Sequence, residues 1–269
     1  MCKMKSGIIL KDRVFVPDYD SHTEMLNELK IEDTTKNAER LFVRAELIPT
    51  NNDVFSSIEN WKFNVDQDIV PDWFVKEVEK DRMIKAVKEW AKDHIHIGID
   101  DLEISAGSNH YIKDCKNIKV CGNATVNEVY GNATVNKVCG NATVEWVYGN
   151  ATVNEVYDNA TVNEVYDNAT VNNVYGNATV NEVYGNATVK WVHNNATVNN
   201  VYGNATVKCV GGNATVKTAK GMSMISGSQY GWSKKDKLIL SENATFKDCQ
   251  AKVIYQSGDW KLVEVKGER

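Results

Sequence analysis

Three short patterns in the first hundred residues place carboxylate or imidazole groups at alternate positions. The residues are Asp18, Asp20 and His22, then Asp66 and Asp68, then His94 and His96. Alternate residues of an extended segment face the same side, so each pattern could direct its groups at one hard cation or one hydrolytic water. The chemistry this predicts is a metal site in the N-terminal part, with Asp18, Asp20, Asp66, Asp68, His94 and His96 as candidate ligands.

The same pairs also occur on solvated loops that bind nothing. No Gly-rich phosphate loop, nucleophile elbow or H-E-x-x-H motif accompanies them in the sequence. A metal-dependent, hydrolase-like enzyme is therefore an alternative hypothesis, and no catalytic residue and no cofactor is predicted.

Residues 1–105 must position these groups, and they read as a small α+β domain. A hairpin is predicted over 8–16, and Ser21 and Glu24 form a capping box that opens a helix. Alternating patterns predict strands over 41–48 and 61–65. Helices are expected over 72–79 and after a cap at Asp81, and a strand over 94–99 then leads onward.

From Val120 to Thr218 the chain consists of eleven consecutive nonapeptides with the pattern V-x-G-N-A-T-V-x-x, and a degenerate twelfth copy covers 240–248. A strict period of this kind is typical of a solenoid, in which each unit buries its apolar side only against its neighbours. Ala and Val at the fifth and seventh positions alternate with polar residues, which predicts strands with Ala and Val inside. Gly, Asp or Asn at the third position predicts a corner with positive φ. A second bend is expected near the eighth and ninth positions.

The second position of each unit indicates how many units make one coil. It is Tyr in seven units, and all four exceptions fall in odd-numbered units. Two units, or 18 residues, per coil would explain this, whereas three would stack Glu128, Glu155 and Glu182 directly. The 18-residue coil predicts an aromatic ladder of Tyr130, Tyr148, Tyr166, Tyr184 and Tyr202.

The N-A-T-V and V-Y-G-N-A strings resemble the short-period β-solenoid proteins of bacteria and their phages, over about 99 residues. The resemblance implies architecture more than activity. The predicted fold class is mainly β: a β-solenoid of about 18 residues per coil, a small N-terminal α+β domain and a C-terminal β cap. The predicted domains are 1–105, the solenoid with its N-terminal cap at 106–218, and a capping segment at 219–269, since open coil ends invite aggregation.

Composition excludes several other classes. Residues 1–105 carry 15 Lys and Arg against 22 Asp and Glu, and no basic face is visible, so nucleic-acid binding is not expected. No apolar run is long enough to span a membrane, and no leader-like segment opens the chain. The six cysteines lack metal spacing, so reduced thiols and a cytoplasmic location are expected.

The leading functional hypothesis is a non-enzymatic structural or recognition protein. The solenoid would be a rigid spacer or a flat Asn/Thr binding surface, and the N-terminal domain would bind a protein partner or assemble, a homo-oligomer included. Candidate binding residues are the five ladder tyrosines together with Trp146 and Trp191, which occupy the ninth position of their units. A further alternative is an interference protein of bacterial or phage origin that acts by surface mimicry.

Overall fold

The computed structural model describes residues 4–257 and the backbone of 263–264. Contacts divide the chain into two compact units between His96 and Ile97. The N-terminal unit contains a four-stranded antiparallel sheet and three helices. The regular elements of the second unit are almost all strands, which are joined by short turns and form two long sheets.

In the N-terminal unit the sheet has the order β2-β1-β3-β4. Its elements are β1 (Lys5–Leu10), β2 (Val14–Phe15), α1 (His22–Glu28), α2 (Thr35–Ala38), β3 (Phe42–Ile48), β4 (Lys62–Val65) and α3 (Lys76–His94), with 3-10 turns at Thr50–Asn52 and Ile58–Asn60. The predicted hairpin is confirmed, with Ile8 opposite Phe15. The predicted N-cap is confirmed, because the Ser21 hydroxyl accepts a hydrogen bond from the Glu24 amide, which is the first of the two bonds of a capping box.

The helix prediction after Pro71 was wrong in its boundaries. Pro71 opens a turn, closed by a hydrogen bond from the Phe74 amide to its carbonyl, and α3 then runs unbroken through Asp81. Met83, Val87 and Trp90 lie buried on one face, so the apolar stripe outweighs the capping signal at Asp81. His94 is the last residue of this helix and not the first of a strand.

The remaining strands build the solenoid. They are β5 (Ile95–Ile97), β6 (Glu103–Ile104), β7 (His110–Lys113), β8 (Ile118–Val120), β9 (Thr125–Tyr130), β10 (Thr134–Val138), β11 (Thr143–Val147), β12 (Thr152–Val156), β13 (Thr161–Val165), β14 (Thr170–Val174), β15 (Thr179–Val183), β16 (Thr188–Val192), β17 (Thr197–Val201), β18 (Thr206–Gly212), β19 (Thr215–Ala219), β20 (Met224–Trp232), β21 (Ile239–Leu240), β22 (Thr245–Asp248), β23 (Val253–Gln256) and β24 (Val263–Glu264). A 3-10 turn covers Lys235–Lys237.

Two units make one coil, as predicted. Odd-numbered strands from β5 to β21 form a nine-stranded sheet, and even-numbered strands from β6 to β22, extended by β23 and β24, form an eleven-stranded sheet. Within the array the partners are parallel and 18 residues apart, for example Val162 beside Val144 and Val180. Nine strands per sheet leave eight intervals, which at about 4.8 Å each give a length of about 38 Å.

The interior of the coil is a column of Ala and Val. In each unit of the array the Ala at the fifth position and the Val at the first and seventh are essentially inaccessible to solvent. Both valines can point inward only because the strand bends between them, and the ladder accordingly skips from the seventh position to the ninth. Each coil is therefore four-sided, with polar side chains on its outer walls.

The corners of the coils lie at the third position of each nonapeptide. The third position has positive φ throughout, including Asp158 and Asp167, whose carboxylates accept hydrogen bonds from Gly140 and Gly149 in the preceding coil.

The degenerate twelfth unit supplies β22 as a further rung, with Phe246 buried against Trp232. In the predicted capping segment, residues 263–264 form β24 against β23, and residues 258–262 and 265–269 lie outside the described residues.

None of the helices in the described part of the chain combines the length and apolarity needed to cross a membrane.

Candidate functional site

The predicted tyrosine ladder is present along one corner of the solenoid. Tyr130, Tyr148, Tyr166, Tyr184 and Tyr202 stack in order with ring centroids 4.5–5.2 Å apart. The opposite corner carries a second stack, which contains Tyr157, Tyr175 and His193. The His193 ring lies 5.3 Å from the Tyr175 ring and therefore takes the place of a tyrosine in this second stack. The ring faces are thus occupied by neighbouring rings.

Three of the five ladder hydroxyls donate to glutamates at the ninth position of the preceding coil. Tyr184 donates to Glu164 at 2.6 Å, and Tyr148 and Tyr202 donate to Glu128 and Glu182. Burial and these carboxylates raise the pKa of the three phenols above the ordinary value. Glu164 and Glu182 are neighbours in the ladder, so the 18-residue coil does not avoid like-charge stacking; the tyrosine donors accommodate it.

Outward asparagines at the eighth position form amide ladders from coil to coil. Asn181 donates to Asn163 and Asn199 to Asn181, both at 2.6 Å, and Asn172 donates to Asn154 at 2.7 Å. The exposed fourth-position asparagines form longer contacts of the same kind, at 3.2–3.4 Å. These amides bond to one another, so they offer a ligand fewer free groups than the sequence suggests.

Cys121 and Cys139 form a disulfide, contrary to the expectation of reduced thiols. They occupy the second position in adjacent coils, and the 18-residue repeat brings their Cα atoms to 4.6 Å, within the range a disulfide spans. The two cysteines are 18 residues apart, which is the length of one coil, so the predicted coil length already places them side by side. Among the described residues, Cys115, Cys209 and Cys249 take part in no disulfide.

Two exposed aromatic side chains flank a groove near the C-terminal end of the eleven-stranded sheet. Trp191 on β16 is 53% exposed, and Tyr230 on β20 is 89% exposed. Both line two neighbouring hollows of about 350 and 570 Å³. We call these hollows and their lining the aromatic groove. Trp146, in contrast, lies half-buried on the nine-stranded sheet between Glu128 and Glu164.

The aromatic groove is basic. Lys190 and Lys208 line it from adjacent coils, and both are exposed. Lys247 lies two rungs further along the same column of the sheet. Within the described residues, the lining of the two hollows contains no carboxylate. This stretch of the sheet therefore combines two exposed aromatic rings with exposed lysines, although the whole chain has a formal charge of -5.

The N-terminal candidates do not converge on one site. Asp20 is held by the buried Lys5 ammonium at 2.8 Å, and Asp18 pairs with His94 Nε2 at 3.0 Å. His94 stacks on Trp90, and the Lys5 ammonium lies over the same indole at 4.9 Å. Burial lowers the pKa of Lys5, and Asp20 opposes that effect. Asp20 and Asp18 are thus each paired with a basic side chain, Lys5 and His94, and the group is an ionic cluster rather than an open cation site.

Asp66, Asp68 and His96 lie elsewhere. Asp66 is joined to His22 at 3.1 Å, with Glu46 beside them, a grouping of three metal-ligating side chains. Asp68 lines a separate shallow hollow formed with residues such as Asp33 and Arg44. His96 is buried on β5. The sequence analysis did not identify Glu46, because in the sequence it is only a single carboxylate within a largely apolar strand.

No family model, curated protein or solved structure matches the chain.

Proposed function

We propose that the chain is a non-enzymatic recognition scaffold, in which the solenoid is a rigid support and the aromatic groove is the surface that binds a protein partner. One contrast carries the proposal. Across the array, outward Asn and Tyr groups are bonded or stacked on one another, whereas the Trp191 and Tyr230 rings are open to solvent.

Rigidity follows from repetition. Every coil of the array adds the same buried Ala and Val to its neighbours, and many coils add amide or tyrosine contacts as well. The rungs thus stabilise one another collectively, and a surface built on them is preorganised. A preorganised surface loses little entropy on binding, which favours the solenoid as the support of a recognition site.

The groove suits an acidic protein segment. Trp and Tyr are the residues that most often anchor protein interfaces, and their rings here lie beside hollows that a side chain could fill. Lys190 and Lys208 would attract carboxylates and speed the encounter. We favour this partner over the flat Asn/Thr surface because the eighth-position amides are already engaged with one another.

A peptide library displayed on phage and panned against the full chain tests this function. We expect enriched peptides rich in Asp and Glu, whose affinity falls at least about tenfold in Trp191→Ala and in Tyr230→Ala. Trp146→Ala is the matched control, because it removes the other ninth-position tryptophan from the array. Binding should also weaken as salt rises.

A library that yields no binder dependent on Trp191 overturns the proposal. Binders that respond equally to Trp146→Ala would instead place recognition on the body of the array.

A further inference from the structure

We propose that His22, Glu46 and Asp66 form a binding site for one divalent cation, with Zn²⁺ as the best fit. The three residues come from different elements. His22 is the first residue of α1, Glu46 lies within β3, and Asp66 directly follows β4. One ligand atom from each lies within 4.8 Å of the other two.

The orientation of the imidazole supports a ligand role for His22. Nε2 lies 3.3 Å from the Ala45 carbonyl oxygen, and Nδ1 lies 3.1 Å from the Asp66 carboxylate. In the neutral tautomer that carries its proton on Nε2, the ring donates to the Ala45 carbonyl and leaves Nδ1 as the ligand atom beside the two carboxylates. A cation bound at Nδ1 would replace the proton that otherwise joins His22 to Asp66. A metal-bound histidine typically donates its other N–H to a carbonyl or carboxylate, as this ring does.

The carboxylates supply the charge that a divalent cation needs. Glu46 receives a hydrogen bond from the Asn64 amide at 3.0 Å on one oxygen, which orients the group and leaves the other oxygen available. Arg44 lies on the same strand, yet its guanidinium is paired with Asp33 and lies over the Phe42 ring. With a neutral imidazole, the three ligands together carry a charge of about minus two.

The geometry requires only a small adjustment. Ligand atoms around a tetrahedral zinc with bonds of about 2.1 Å lie about 3.4 Å apart. The His22 and Asp66 atoms, 3.1 Å apart, lie within about 0.3 Å of this separation, and the Asp66 side chain is 56% exposed, which leaves it room to rotate toward the metal. Exposure on that side leaves the fourth coordination position to water, and mixed N and O ligands suit zinc better than Ca²⁺ or Mg²⁺.

Isothermal titration of the full chain with ZnCl₂ tests this site. We expect saturable uptake at this site, and at least about tenfold weaker binding in Glu46→Gln and Asp66→Asn. Both substitutions keep side-chain size, and Asp66 is exposed, so the fold should be retained and circular dichroism will confirm it. Asp68→Asn is the matched control, two residues further along the same segment and outside the grouping.

Mn²⁺ and Ca²⁺ titrations give the selectivity, with Zn²⁺ expected to bind most tightly. No saturable Zn²⁺ uptake, or uptake that Glu46→Gln and Asp66→Asn leave unchanged, overturns the proposal and leaves an ordinary His–Asp ion pair. Equal weakening by Asp68→Asn would also overturn it, because the cation would then be held by the general acidic surface.

Discussion

Replacement of Tyr184 by phenylalanine removes one hydroxyl from the tyrosine ladder and keeps the stacked ring. That hydroxyl donates to the Glu164 carboxylate at 2.6 Å. A hydrogen bond to a charged group stabilises a fold by about 1.5–3 kcal/mol. Because Tyr184 is only half-buried, we expect the lower part of this range, a loss of about 1.5–2 kcal/mol.

Tyr166→Phe is the matched control for this change. Tyr166 stacks at 5.0 Å on rings on both sides, as a ladder residue should, but in the described structure its hydroxyl has no hydrogen-bond partner in the protein. Its removal should change the unfolding free energy by less than about 0.5 kcal/mol. Urea unfolding followed by far-UV circular dichroism measures both variants, and a double-mutant cycle with Glu164→Gln isolates the pair.

Equal losses in the two variants would refute this reasoning. The tyrosines would then contribute through ring packing alone, and the carboxylate contacts would have no energetic role. The same conclusion would follow if Tyr184→Phe lowered the unfolding free energy by an equal amount with Glu164 in place and in the Glu164→Gln background, because the hydroxyl and the carboxylate would then not be coupled.

Three further predictions follow from the solenoid interior, its ionisable groups and its disulfide. Val162→Ala opens a cavity in a fully buried rung and should cost about 2 kcal/mol, measured as a lower urea midpoint. The pKa values of Tyr148 and Tyr202 are raised in the fold, mainly by burial, so the stability they contribute is complete below pH 10, the pKa of an unfolded tyrosine, and is lost as the pH rises above it. Because exposed tyrosines such as Tyr230 also absorb at 295 nm, the wild-type chain is compared with Tyr148→Phe and Tyr202→Phe. The part of the tyrosinate absorbance that these substitutions remove should rise together with loss of the β-sheet signal, and its appearance well before unfolding would contradict the ladder contacts. Cys121→Ser with Cys139→Ser should lower stability by up to about 3 kcal/mol, because the bond closes a loop with a sequence separation of 18 residues; an unchanged urea midpoint, with or without reductant, would show that the bond does not contribute.

The solenoid could be predicted from sequence because its forces are local and repeated. The alternation of Ala, Thr and Val sets which side chains enter the core, and the third-position residues set the corners. Avoidance of stacked glutamates does not distinguish two units per coil from three, since Glu164 and Glu182 stack directly in the 18-residue coil as well. Their stacking is accommodated by tyrosine hydroxyls from the next coil, a contact no single nonapeptide reveals.

The candidate sites were harder to predict because they join distant parts of the chain. His22 meets Asp66 across 44 residues, and Glu46 enters from a third element, so no local spacing marks the group. Trp191 was identified from its position in the repeat, whereas Tyr230 lies on β20, where the register shifts and the repeat has ended. Asp81 misled the helix prediction because a capping residue and a helix-surface residue look alike in sequence.

Cross-linking of engineered cysteine pairs tests the coil length most directly. Tyr157→Cys with Tyr175→Cys places thiols 18 residues apart, in the same corner column as Cys121 and Cys139, and mild oxidation followed by peptide mass spectrometry should find them linked. Tyr148→Cys with Tyr175→Cys places them 27 residues apart on opposite corners and should stay unlinked. Efficient linkage of the second pair, with none in the first, would show three units per coil and contradict the solenoid described above.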